Sequence, residues 1–134
     1  MLSSVISALN QALVDLGLEP PIVWENVDPP KKESEWLAAY FLPASTVQSS
    51  LGDTGLDQTT GIYQIDVHTE TGIGWGSLHA LADQIQSGFR LGRCLEYQGQ
   101  KVTVTGSSRT QGGSEGGWFK ASISIQWLAY IARQ

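Results

Sequence analysis

The sequence predicts an α+β fold, a mostly antiparallel sheet of about five to six strands with two helices packed on one face, in a single domain over residues 1–134. Three observations predict it. Two segments repeat apolar residues at three- and four-residue steps, the period of a helix with one buried stripe. Others alternate apolar and polar residues, the period of a strand with one buried face. The strand-like segments of the last third follow one another as a meander. The element order reads α-β-β-β-α-β-β-β.

The first helix runs from Leu2 to Leu16, with Leu2, Val5, Ile6, Leu9, Leu13 and Leu16 on its stripe. Gly17 suits a left-handed C-terminal residue, and Pro20–Pro21 forbid continuation. Ile22–Val23–Trp24 reads as a short strand, and Asn26 to Lys32, with Asp28–Pro29–Pro30, as an exposed turn. Glu35 to Thr46 is the second strand. Its run Trp36 to Leu42, closed by Pro43, is too short and too aromatic for a helix and reads as a strand buried on both faces. One face meets the core, and a neighbouring subunit is a natural cover for the other.

Gln48 to Thr60 reads as a polar loop. From Ile62 to Thr69, Tyr63, Ile65 and Val67 face one way, and Gln64, Asp66 and His68 the other. Gly72 to Gly76 is a flexible turn. Ser77 is placed to cap a second helix reaching about Phe89, with Leu78, Leu81, Ala82, Ile85 and Phe89 on its stripe. Cys94–Tyr97 and Lys101–Thr105 flank the tight connection Gln98–Gly99–Gln100. Ser107 to Gly117 reads as a mobile loop. Trp118 to Ala129 is a long strand with Phe119, Ala121, Ile123, Ile125, Trp127 and Ala129 on one face, and Lys120, Ser122, Ser124 and Gln126 on the other.

Charged residues make up 16% of the 134-residue chain and the net charge is -5. Both values argue against phosphate neutralisation, which needs clustered Lys and Arg. A weakly charged surface rich in Ser, Thr, Gln and Gly suits repeated subunit contacts. A single cysteine, Cys94, excludes an intrachain disulfide and a Cys-based zinc site, and its place at the start of a strand predicts a buried, inert thiol. No stretch approaches the roughly 20 apolar residues of a membrane span. The N-terminus does not read as a signal peptide.

The residues that invite a chemical reading also have plain ones. Gly72–Ile73–Gly74–Trp75–Gly76, with Glu96 further on, suggests a dinucleotide turn, but Ser77 stands where the third glycine belongs and the next elements are hairpin-like. Asp66, His68 and Glu70 share a strand face and would suit a metal; the plain reading is a solvated face. His79 lies off its helix stripe and reads as solvent-facing. No Gly-x-Ser-x-Gly elbow is present, and the run Gly112 to Gly117 lacks the lysine and helix of a phosphate loop. Trp75 and Trp118, one within and one bordering a glycine-rich segment, suit either interface anchors or local packing.

Several segments together resemble the tail-terminator-like family of long-tailed phages. They are Ile22–Val23–Trp24–Glu25–Asn26–Val27 before Pro29–Pro30, the strand end Tyr40–Phe41–Leu42–Pro43–Ala44, and Gly61–Ile62–Tyr63–Gln64–Ile65–Asp66–Val67. The helix containing Ala82–Asp83–Gln84–Ile85 and the closing Trp127–Leu128–Ala129–Tyr130 complete the match over nearly the whole chain. The resemblance implies a structural virion protein and no enzyme. It implies a ring, typically a hexamer, at the head-proximal end of the tail tube, which stops tube polymerisation and presents a docking surface to the head–tail connector. Its implied partners are further copies of itself, the tube protein and the connector, with no cofactor, metal, specific nucleic acid or membrane. The implied location is the virion, with the host cytoplasm during assembly.

The contact residues expected from the loops are Asp53, Thr54 and Asp57 in the first, and Arg109, Gln111 and Glu115 in the second, with Trp75 and Trp118 beside them. The alternatives are another neck or tail-completion protein and, from a different class, a small metal-dependent or hydrolytic enzyme.

Overall fold

The computed structural model describes residues 2–25, 35–48, 55–72, 76–110 and 112–132. Helix α1 spans Leu2–Asp15 and buries Val5, Ala8, Leu9, Ala12 and Leu13. It stops where the stripe ends: Gly17 takes φ 65°, and its N–H donates to the Val14 carbonyl at 3.1 Å. Strand β1 (Ile22–Trp24) follows, then β2 (Glu35–Gln48), β3 (Leu56–Glu70), helix α2 (Gly76–Gly88), β4 (Cys94–Tyr97), β5 (Gln100–Arg109), β6 (Gly113–Glu115) and β7 (Trp118–Ala132). The expected turn at Asn26 to Lys32 lies outside the described residues.

The fold is α+β as expected, but the sheet is larger and not wholly antiparallel. It has seven strands in the order β1-β2-β3-β7-β5-β4, with β6 also beside β7. β1 runs parallel to β2, and the remaining pairs are antiparallel. The additional strand, β6, and the extra length of β3 come from the two segments expected to be polar loops. β3 begins at Leu56, and its register with β7 runs unbroken from Leu56↔Ala132 to Glu70↔Trp118. Asp57, Gln58, Thr59 and Thr60 are polar, but their backbone groups continue the ladder. β5 runs on to Arg109, and β6 turns back into β7 through Gly116–Gly117, at φ 56° and 84°. That pair of left-handed residues makes a two-residue hairpin where a mobile loop was expected. Gln98–Gly99 joins β4 to β5 in the same way, at φ 49° and 86°.

A single core joins α1 and α2 to one sheet face. It contains Leu37 and Ala39 from β2, Tyr63, Ile65 and Val67 from β3, Val102 and Val104 from β5, and the odd-numbered residues Ala121 to Ala129 of β7. α2 contributes Leu78, Ala82 and Ile85, with Phe89 just beyond it. Ser77 lies inside α2, and its hydroxyl donates to the Glu35 carboxylate instead of capping the helix.

The Tyr63 hydroxyl donates to the Asn10 side-chain carbonyl at 2.6 Å, tying α1 to β3. Burial first, and the Glu25 charge second, push this phenol above its ordinary value. The native state therefore holds the proton more tightly than the unfolded chain. The resulting stability is complete below the ordinary tyrosine range, about pH 10, and is lost as pH rises above it. Tyr63→Phe is expected to cost about 1 kcal/mol at neutral pH, because Asn10 loses its donor. It is also expected to remove this part of the alkaline loss. Urea melts at pH 7 and pH 11 check both, and an alkaline loss as steep as that of the wild type refutes the assignment.

Candidate functional site

The sheet face turned away from the helices divides into two halves. Successive side chains of a strand point to opposite faces. Since Tyr63, Ile65 and Val67 meet the helices, the even-numbered residues of β3 lie on the outer face, with their cross-strand partners on β2 and β7. At the end where β3 begins, that face holds Tyr40, Leu42, Ser45 and Val47 of β2. Beside them lie Leu56, Gln58, Thr60, Ile62 and Gln64 of β3, and Gln126, Leu128, Tyr130 and Ala132 of β7. None of these thirteen residues is charged.

A bulge between Pro43 and Ser45 shifts the register, so Leu42 pairs with Ile62 while Val47 pairs with Gln58. The extra residue brings an odd-numbered side chain, Val47, onto the face that even-numbered ones occupy before it. Thr46 then faces the helix side, where its hydroxyl lies 3.1 Å from that of the buried Thr59. Eight large hydrophobics are exposed among the described residues, and five of them (Tyr40, Leu42, Val47, Leu56 and Tyr130) stand on this half-face. Val47 is 55% exposed and Tyr130 49%. Scattered apolar residues are ordinary on a surface, whereas a contiguous, charge-free group marks a contact surface.

The other half is polar and aromatic. Asp66, 4% exposed, accepts hydrogen bonds from Ser122 at 2.6 Å and Gln64 at 2.9 Å, with the Lys120 ammonium 3.8 Å away. His68 stacks flat on Trp36 at 3.6 Å between ring centroids, and Trp118 meets Trp36 edge-on at 6.0 Å. The expected solvated face is therefore a buried one. Asp66 and His68 share it, but the carboxylate is engaged by its neighbours, and no group of three His, Cys, Asp or Glu among the described residues is placed to hold a metal.

The expected contact residues do not form one site. Asp53, Thr54, Trp75 and Gln111 lie outside the described residues. Asp57 and Arg109 are on strands, not on mobile connections. Asp57 is half-buried in β3 on the helix side. Arg109, at the end of β5, is held against α2: its guanidinium lies 2.6 Å from the Asp83 carboxylate, bonds to Gln86, and sits 3.2 Å from Nδ1 of His79. That clamp makes His79 half-buried, where a solvent-facing ring was expected. Glu115 ends β6. Trp118 packs on Trp36, the local-packing reading of its place beside glycines. Cys94 is exposed, not buried, because it falls on the outward side of the terminal strand β4.

The sequence reading missed Tyr40, Leu42, Val47, Leu56 and Tyr130 as a group. Its one signal was the doubly apolar run Trp36 to Leu42, which already implied a covering neighbour.

The family model described as phage tail terminator protein matches residues 4–127 of the chain. Twelve chains of solved structures match. One of them superimposes with a TM-score of 0.78 at 22% identity, covering 96% of this chain and 95% of its own. At that identity the likeness shows the fold. No curated protein matches.

Proposed function

This chain belongs to the phage tail terminator family, and from that premise we propose that it is a ring-forming subunit at the head-proximal end of the tail tube. The family is structural, and the coarse role of a phage tail component in the virion follows from membership. The finer reading is that copies close into a ring, typically of six, which halts addition of tube protein and offers its far side to the head–tail connector. The observation that supports it is the outer sheet face, where five of the eight exposed large hydrophobics stand without a charge among them. Burying apolar surface yields about 25 cal/mol per Å², so such a face is a natural contact with another tail protein. A substrate site needs converging polar groups in a cleft, and this half-face offers none.

Labelling the protein in intact particles tests the reading. Signal confined to the head-proximal tail end is expected. Signal along the tube or at the distal tip overturns it.

A further inference from the structure

The sheet begins at β1 and ends at β4, with the acid Glu25 just after the first of these strands and the base Arg90 just before the second. Beside β1, a cleft of about 430 Å³ lies between α1 and the β1–β2 edge, lined by Ile6, Asn10, Trp24, Glu25, Ala39 and Phe41. Its walls are apolar and aromatic, and its one charge is the exposed Glu25 carboxylate. One oxygen of that carboxylate accepts the Phe41 N–H, which fixes it at the mouth. The field of Glu25 reaches inward as far as the Tyr63 phenol. A carboxylate beside Trp and Phe rings suits a guanidinium, which pairs with the acid and lies over the ring faces.

The chain carries such a group at the other end of the sheet. Between α2 and β4, the turn Arg90–Arg93 is tied to β5: the Gly92 N–H donates to the Val104 carbonyl at 2.8 Å and the Val104 N–H to the Arg93 carbonyl at 2.9 Å. The Arg93 guanidinium is spent on the Gly88 carbonyl. Arg90 is exposed and makes no ion pair among the described residues. A head-to-tail ring brings two different surfaces of each subunit together at every contact.

We propose that the cleft beside Glu25 receives the Arg90 side chain of a second copy, so that each subunit gives an acid to one neighbour and a base to the other. This rests on the ring reading above.

Reversing the charges tests it. Glu25→Arg leaves a subunit with two basic contact surfaces, and Arg90→Glu one with two acidic surfaces. Each variant alone is expected to self-associate at least about a hundredfold more weakly than the wild type, because like charges meet at the contact. An equimolar mixture restores unlike pairs throughout and is expected to assemble to the wild-type size by alternation. Sedimentation velocity reads the assemblies, and circular dichroism confirms that each variant is folded. Variants that assemble alone like the wild type overturn the proposal, as does a mixture that stays dissociated. In both cases a wild type that forms rings keeps the ring reading intact. A wild type that forms no assembly at any concentration, alone or on tubes, removes both.

Discussion

Gly61→Ala is expected to lower stability by roughly 3 kcal/mol, at the upper end of the cost of overpacking a core. Gly61 sits opposite Trp127 in the β3–β7 register, and the indole lies across the space where a side chain would stand. A Cβ at residue 61 would come 2.5 Å from Cζ2 of Trp127 and 3.1 Å from the Leu42 carbonyl oxygen. Neither neighbour can withdraw: Trp127 is 1% exposed and stacks on Phe41 at 5.5 Å between centroids, and the carbonyl belongs to a paired strand. Thermal melts should show a fall on the order of 10 °C. Gly61→Ala combined with Trp127→Phe removes part of the obstructing ring, so the double variant is expected to lose less than the sum of the two singles. A Gly61→Ala protein as stable as the wild type contradicts the packing described here.

Val47→Glu combined with Tyr130→Glu is expected to abolish assembly while leaving a folded subunit. Val47 and Tyr130 both pair with Gln58, so the two new charges stand in one row across three strands. Both positions are about half exposed in the single chain, so their effect on the isolated fold is small. Against a neighbour, each carboxylate would be stripped of water without a partner, a loss of several kcal/mol, or more than a hundredfold in association. Val14→Glu is the control, since Val14 is equally exposed but lies on α1. Sedimentation and electron microscopy of tails check the pair. Normal rings from the Val47/Tyr130 variant, or an equal loss from Val14→Glu, would show that this face is not the contact surface.

Much of the architecture was legible because it rests on periodicity. The stripe Val5, Leu9, Leu13 gave α1, the alternation Phe119 to Ala129 gave β7, and Gln98–Gly99 gave the β4–β5 hairpin. The first residues of β3 were not legible. Asp57 to Thr60 carry polar side chains, and their place in the sheet is set by backbone pairing with β7, which leaves no trace in hydropathy. β6 was hidden for the same reason, since Gly113–Ser114–Glu115 has strand geometry without strand composition. The contact residues suffered most. Loops were favoured on the general ground that they carry function, yet Arg109 turned out to be spent on Asp83 and Gln86. Leu42, Val47 and Tyr130 are ordinary strand residues in the sequence, and their exposure together emerges only from the register.

The irregularity between Pro43 and Ser45 is where β2 tolerates a change in length. Ala44 has no cross-strand partner, so its removal would leave Ser45 opposite Thr60, Thr46 opposite Thr59 and Val47 opposite Gln58 in an unbroken ladder. With Ser45 held opposite Thr60, removing Thr46 instead would bring Val47 opposite Thr59 and turn it to the helix side. A single codon's deletion would thus spare assembly or silence it according to which side of Ser45 it falls on.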